Sequence, residues 1–260
     1  MNEARIGVAA QGQAIAAAAY GYARVYAKDR IQGQPLRDAK NPDAAPVAIV
    51  QHPDVRRMLM LQKVHSETMR SLLCKVALYI DLMHEAEDPA ERERLKARVD
   101  LWTPIVKAMC SDLGFEVATL AVQTYGGYGY IGEYPVEQLV RDAKITSIYE
   151  GTNGIQAMDL VGRKLRIGGG ALFIEWMNEA MAAVEKAAVD YKGPAEALGK
   201  AVQQLAGAAM HLAGLGKARK VEAAMMQAYP FLRMFGTVLL GLEALEQAVV
   251  ARRLAGERGD

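Results

Sequence analysis

Apolar residues recur at helical spacing along most of the chain, and no segment alternates apolar and polar residues for long enough to predict a strand. The first half of the pattern predicts three long helices, at residues 3–28, from Pro53 to about Glu85, and at Glu91–Gln123. The first is rich in alanine and glycine, whose small side chains would allow a neighbouring helix to approach closely. Pro104 would kink or divide the third.

Shorter helices are predicted in the second half of the chain. They cover Val136–Ala143, a segment capped by Asn153 or Thr152 that runs to about Leu165, and two or three helices beyond Gly168–Gly170. Breaks between the last helices are predicted at Gly193-Pro194, at Gly214–Gly216 and at Pro230. The pattern therefore predicts an all-α fold, with the three consecutive glycines as the domain boundary.

The composition is that of an ordinary globular protein, with 260 residues, 52% hydrophobic and 23% charged. A net charge of +1 gives no strong global field, so nucleic acid and anionic membranes are poor candidate partners. No stretch reaches the ~18–20 uninterrupted apolar residues of a membrane span, and the first residues lack the pattern of a signal peptide. We therefore expect a cytoplasmic protein with no membrane span and no nucleic-acid partner.

The cysteines and histidines do not suggest a metal site. Cys74 and Cys110 lie in apolar, helix-like surroundings without CxxC spacing, which predicts two reduced thiols in the core. His65, His84 and His211 show no ligand spacing with each other or with the cysteines. No metal is expected.

The segment from Tyr125 to Thr152 has the composition of a ligand site. Its glycines at Gly126, Gly127 and Gly129 permit close backbone approach, which suits a turn that faces a ligand. Glu150 lies between an apolar stretch and the start of a helix. A carboxylate beside an apolar pocket can act as a base for carbon acids, because bound substrate excludes water. On spacing alone, a helix-terminal glutamate that only satisfies backbone donors is the favoured alternative.

Four runs in this segment resemble, in order and almost without gaps, the C-terminal signature of the acyl-CoA dehydrogenase family. They are Gln123–Gly129, Glu133–Glu137, Arg141–Ile145 and Ile148–Thr152. Weaker similarity covers roughly residues 2–166. The resemblance implies an up-down helical bundle over residues 1–167. Residues 168–260 resemble the helical C-terminal extension of a bacterial branch of the family that includes 3-methylmercaptopropionyl-CoA dehydrogenase.

The resemblance also implies an activity. In this family the glutamate that aligns with Glu150 is the catalytic base, which removes the α-proton of an acyl-CoA while FAD receives a hydride from the β-carbon. The product is a trans-2-enoyl-CoA. The family's N-terminal helical domain and middle β-domain do not appear in this sequence, so we expect the chain alone to be inactive and to hold FAD weakly.

Further ligand contacts are implied residue by residue. Family members bind the FAD pyrophosphate, in part across a subunit interface, at positions that match Arg30 and Gln32. They bind the adenosine half from the partner subunit at positions that match Gln123, Gly126 and Gly127, and the flavin at positions that match Thr152 and Gly154. Asn2 and Arg5 fall where the family holds the CoA nucleotide. An aspartate is frequent at the first of these two positions, and Gly154 lacks the side chain that some relatives have.

The expected partners follow from the same resemblance. They are an acyl-CoA substrate, an electron-transfer flavoprotein or similar acceptor, and further copies of the chain, as a dimer or a dimer of dimers. Two alternatives keep the fold: an acyl-CoA oxidase, which passes electrons to oxygen, and a non-catalytic helical assembly module. Glu150 argues against the second, because a scaffold does not need a carboxylate at that position.

Overall fold

The computed structural model describes residues 2–38 and 40–258. The predicted regions 1–167 and 168–260 therefore include four residues that lie outside the described residues: Met1, Ala39, Gly259 and Asp260. Nine α-helices form the fold of the described part. They are α1 (Asn2–Asp29), α2 (Pro53–Glu85), α3 (Pro89–Tyr125), α4 (Val136–Lys144), α5 (Asn153–Gly162), α6 (Ala171–Ala187), α7 (Lys192–Lys217), α8 (Val221–Met226) and α9 (Ala228–Arg258).

Short 3-10 helices fill several of the connections. They are Leu36–Asp38, Ile49–Gln51, Gly126–Tyr130, Ile145–Ser147 and Lys164–Gly170. The β-type pairing found within residues 2–38 and 40–258 is one isolated bridge between Ile31 and Ala48. The all-α prediction is therefore confirmed.

The predicted helix bounds agree closely for the first five helices and less well near the end. Pro104 lies inside α3, which is continuous, so it does not divide the helix, and the alternative of a kink stays a prediction. Gly214–Gly216 falls within the last turn of α7, and the chain turns after it at Arg219, whose φ is +58°. Pro230 lies in the first turn of α9, where a proline removes no hydrogen bond, and it therefore does not break the helix.

The chain divides into two compact units. The first compact unit comprises Gly7–Arg70 and Cys110–Tyr149. Here α1 crosses α3 at two glycines: a Cβ on Gly12 would lie 2.3 Å from the carbonyl oxygen of Cys110, and a Cβ on Gly114 would lie 2.6 Å from the carbonyl oxygen of Gly12. The backbones touch because neither position has a side chain. This is the close approach that the composition of α1 predicts.

The second compact unit contains the start of the chain to Ile6, Ser71–Met109, and everything from Glu150 onward. In it, α5, α6 and α7 pack on α9. Trp176 lies 4.5 Å from Phe235, centroid to centroid, in an aromatic cluster that joins α6 to α9. The buried Glu243 on α9 pairs with Lys75 and accepts a hydrogen bond from Ser71, both on α2.

Helix α9 is long and apolar enough over Ala228–Glu257 to cross a membrane, by length and composition, and 44% of its most apolar window is buried inside the protein. A core helix of a soluble protein passes the same two criteria. The expectation that the chain has no membrane span stays a prediction.

The two cysteines differ in their surroundings. Cys110 is buried, and its burial raises the pKa of the thiol. Cys74 is exposed on α2, so its expected place in the core is wrong. Apolar neighbours in the sequence do not decide which face of a long helix a side chain occupies. Both thiols are free.

The crossing of α1 and α3 leads to a prediction with a matched control on the same helix. We expect Gly12→Ala to lower the free energy of unfolding by about 1–3 kcal/mol, because the added methyl group forces two packed backbones apart. A Cβ on Gly21 would meet nothing within 4 Å. Gly21→Ala should therefore raise the free energy of unfolding by up to about 1 kcal/mol, because alanine restricts the unfolded chain and favours helix. Denaturant unfolding measures both, and equal stabilities of the two variants would contradict the close crossing.

Candidate functional site

Glu150 lies on a tight turn between the 3-10 helix Ile145–Ser147 and α5. Its φ is +55°, a left-handed conformation that costs energy for a residue with a side chain, and Gly151 follows with a φ of +88°. The Glu150 carboxylate is exposed and has no hydrogen bond or ion pair with the residues that the structure describes. The turn therefore presents an unpaired carboxylate.

The residues after Glu150 close the turn and begin α5. A Cβ on Gly151 would lie 2.5 Å from Nε2 of Gln156, so a side chain at this position would have to displace the Gln156 amide as well as adopt a φ of +88°. The Thr152 hydroxyl accepts a hydrogen bond from the Ile155 N–H at 3.3 Å and caps the helix, which decides between the two predicted caps. Gly154 and Thr152 are both exposed in this first turn, near Glu150 in sequence.

Lys107 on α3 anchors the turn through hydrogen bonds from its buried side chain. Its side chain is fully buried, and Nζ donates to the Gly151 carbonyl oxygen and to Oδ1 of Asn153, each at 2.9 Å. The Asn153 amide in turn donates to the carbonyl oxygen of Ala108 at 3.4 Å. Lys107 was not among the residues predicted from the sequence. The available sign was a single lysine in the apolar run Leu101–Cys110.

A second cluster of predicted residues lies in the first compact unit. An open pocket of about 420 Å³ is lined by Arg30, Gln32, Gly126, Gly127 and Tyr128, among others. The guanidinium carbon of Arg30 lies 5.2 Å from the centre of the Tyr128 ring, a cation–π contact. Arg30 is the one charged side chain among the lining residues. Its Nε is buried and has no hydrogen-bond partner in the described part of the chain.

The backbone of this pocket is shaped for close approach. Gly126 has a φ of +63°, and a Cβ on Gly126 or Gly127 would meet nothing within 4 Å, so both glycines face open space. The loop that carries Gln32 is fixed by a 2.7 Å hydrogen bond from His52 Nε2 to the Gln32 carbonyl oxygen. Gln123 is exposed but does not line the pocket. The structure therefore brings together four of the five residues expected at the FAD pyrophosphate and adenosine.

Two stacked tyrosines, the half-buried Tyr26 and the buried Tyr125, support this pocket. Tyr26 stacks on Tyr125 with ring centroids 4.0 Å apart, and the Tyr125 hydroxyl donates to the carbonyl oxygen of Tyr22 at 3.3 Å. Burial raises the pKa of both the Tyr26 and the Tyr125 hydroxyl, so these rings stay neutral through the physiological range. The positive charge of Arg30 therefore has no anionic neighbour among the pocket residues.

Asn2 and Arg5, expected at the CoA nucleotide, already have partners in the protein. The Asn2 amide donates to Oδ1 of Asp100 at 2.6 Å. Nη1 of Arg5 lies 3.3 Å from Oδ2 of Asp159, in an ion pair whose side chains are 13% and 4% exposed. Asp159 also pairs with Arg163. Within residues 2–38 and 40–258, no three His, Cys, Asp or Glu side chains are grouped to hold a metal ion.

Comparison with known proteins identifies the class. Residues 1–165 match the family model of the acyl-CoA dehydrogenase C-terminal domain, and residues 173–260 match that of the acetyl-CoA dehydrogenase C-terminal-like region. The chain therefore belongs to the acyl-CoA dehydrogenase family.

Individual relatives refine this picture. Over the whole chain, the sequence is 36% identical to 3-methylmercaptopropionyl-CoA dehydrogenase of Ruegeria pomeroyi, of which it covers 44%. The chain thus spans less than half the length of that relative. Caenorhabditis elegans ACDH-11, solved in complex with C11-CoA, matches 95% of the chain with a TM-score of 0.75 at 19% identity, and 40% of that protein is covered. Acyl-CoA oxidase 3 of Yarrowia lipolytica matches 92% of the chain with a TM-score of 0.69 at 14% identity, with 38% of that protein covered. At these identities, the structural likeness establishes the fold alone.

The Lys107 anchor can be tested without any ligand. We expect Lys107→Met to lower the free energy of unfolding by about 1–3 kcal/mol, because Oδ1 of the buried Asn153 and the Gly151 carbonyl oxygen lose their 2.9 Å hydrogen bonds from Nζ. Hydrogen exchange at the amides of residues 148–153 should accelerate more than in the rest of the chain. Lys96→Met is the matched control, because Lys96 lies on the same helix with its side chain 55% exposed. It should change stability by no more than about 0.5 kcal/mol. Uniform exchange changes in the Lys107 variant would count against a local anchor.

Proposed function

We propose that this chain provides the catalytic base and part of the flavin site of an acyl-CoA dehydrogenase. The observation that carries the proposal is the Glu150 carboxylate, which is unpaired among the described residues. Glu150 has a left-handed φ, and Lys107 anchors the turn on which it lies. Family membership supports it, since the residues around Glu150 form the run that carries the base in this family. The reaction is the oxidation of an acyl-CoA to a trans-2-enoyl-CoA.

Glu150 has two roles in this reaction, one for its carboxylate and one for its backbone N–H. Its carboxylate takes the α-proton of the thioester, and the exclusion of water by bound substrate makes the carboxylate a stronger base. Its backbone N–H, which forms no backbone hydrogen bond in the described part of the chain, donates to the thioester carbonyl. That hydrogen bond stabilises the enolate charge as it forms. Thr152 and Gly154, both exposed in the first turn of α5, are the proposed flavin contacts.

The residues of the Arg30 pocket fit FAD. A pyrophosphate needs donors and positive charge, and Arg30 offers a buried, unpartnered Nε in a pocket that holds no carboxylate. Gly126 and Gly127 leave room for the nucleotide at the backbone, and Gln32 can contribute a polar contact in the pocket. Gln123 lies outside the pocket lining, and we assign it to the adenosine half of FAD by the family resemblance alone. Bound FAD would supply the acceptor for the β-hydride.

The proposed partners follow from this chemistry. The substrate is an acyl-CoA, whose nucleotide we assign to Asn2 and Arg5. This assignment requires Arg5 to exchange its Asp159 contact for phosphate or to bind both. The electron acceptor is an electron-transfer flavoprotein or a similar protein, the chain works as a homo-oligomer, and the location is the cytoplasm. Assay under anaerobic conditions separates this proposal from an oxidase, which requires oxygen as acceptor.

The base is tested by Glu150→Gln in a protein that joins this chain to the family's N-terminal and middle domains. We expect the parent to reduce an artificial electron acceptor with at least one member of an acyl-CoA panel. The glutamine variant should lose on the order of a hundredfold or more of kcat, because the amide cannot accept the proton. Glu133→Gln, an exposed carboxylate in the same segment, is the control and should retain the parent's rate. A glutamine variant within about threefold of the parent would remove the proposed mechanism.

The flavin site has a separate test whose readout is affinity. In the same joined protein, we expect Arg30→Met to weaken FAD binding by about tenfold or more, since a charge-assisted hydrogen bond to phosphate is lost. Arg24→Met removes an exposed arginine of α1, the helix that ends just before Arg30, outside the pocket, and should leave the affinity within about twofold. Flavin fluorescence titration measures both, and equal affinities would exclude Arg30 from the site.

A further inference from the structure

A separate apolar pocket of about 510 Å³ lies in the second compact unit. Its walls come from the end of α5, the 3-10 helix after it, and helices α6, α7 and α8. Phe173, Leu212 and Ala224 form buried parts of the wall, while Ile174 and Met210 stand exposed at its edge. The volume falls within the range of about 300–1,000 Å³ that is typical of small-molecule sites.

Two polar side chains, those of Arg166 and Asn178, stand among the residues that line this pocket. Neither has a hydrogen bond or ion pair from its side chain to the described residues. Nη2 of Arg166 packs against Gly216, 3.4 Å from where a Cβ on that glycine would lie. Both residues are exposed, so a guanidinium and an amide stand at the open side of a cavity whose other lining residues are apolar or glycine, with no carboxylate among them.

The sequence adds positive charge beside the same pocket. Gly216 and Val221 both line it, and the four residues between them are Lys217-Ala218-Arg219-Lys220. These three basic side chains are exposed and form no ion pair within residues 2–38 and 40–258. An anion that approaches Arg166 is therefore attracted rather than repelled.

We propose that this pocket binds a single-chain amphiphile with one carboxylate, of the fatty-acid class. The apolar walls take the hydrocarbon tail, and Arg166 and Asn178 hold the head group. Met177 and Met225 in the wall suit a flexible chain, because methionine adapts to irregular shapes. One lining guanidinium matches one carboxylate better than the several phosphates of a nucleotide. The site does not include Glu150, so the inference is independent of the proposed reaction.

Calorimetric titration of the 260-residue protein with dodecanoate, below its micelle concentration, tests the inference. We expect saturable binding of one molecule per chain. Arg166→Gln should weaken it by about tenfold or more, because the head group loses its charged donor. Ala209→Trp should abolish it, because the indole fills the cavity from α7. Dodecan-1-ol, which shares the tail but has no charge, should bind at least tenfold more weakly than dodecanoate.

Lys217→Gln is the matched control, since it removes a positive charge next to the pocket from a residue that does not line it. It should leave the affinity within about threefold. Circular dichroism confirms that each variant keeps its helix content, and Arg166→Lys, which keeps the charge, should recover part of the affinity. Absence of dodecanoate binding to the parent protein would overturn the proposal. The proposal would also be overturned if Arg166→Gln or Ala209→Trp bound dodecanoate as tightly as the parent protein does. The same holds if the parent protein bound dodecan-1-ol as tightly as dodecanoate.

Discussion

The contact on which the site depends is the buried amine of Lys107 beneath the turn at Glu150. Two consecutive positive φ values leave this turn without regular helical hydrogen bonds, so its carbonyl groups need other donors. Lys107 provides one to Gly151 and another to the side chain of Asn153, which starts α5. Because α3 is the longest helix of the described chain, the turn is fixed to a rigid element and not to a neighbouring loop.

The helices were predictable because their cause is local. Apolar periodicity, a proline in the first turn of α2 and small residues along α1 each act within a few residues of where they stand. The bounds Pro53–Glu85 and Val136–Lys144 accordingly differ from prediction by no more than one residue. The turn at Glu150 was located through the family resemblance, since spacing alone favoured a capping role for that residue.

The remaining features depend on contacts between residues far apart in the chain. Lys107 meets Gly151 over a separation of 44 residues, and Arg5 meets Asp159 over 154. No local pattern encodes such pairs, so the ion pair of Arg5 was not anticipated. The exposure of Cys74 has a similar origin, because neighbouring helices decide which face of α2 is covered. Pro104 did not divide α3, since tertiary packing outweighs one lost hydrogen bond in a helix buried along this stretch.

The contrast between Glu150 and the other acidic groups of the second compact unit bears on the choice between enzyme and scaffold. Asp159 and Glu243 are buried and paired with cations, which is how carboxylates contribute to a fold. Glu150 contributes nothing of this kind: it is unpaired among the described residues, and its φ of +55° carries a conformational cost that glycine would avoid. A chain selected only for assembly would gain stability by replacing it. The presence of a carboxylate at a strained position, on a turn held by a buried lysine, therefore favours chemistry at that side chain.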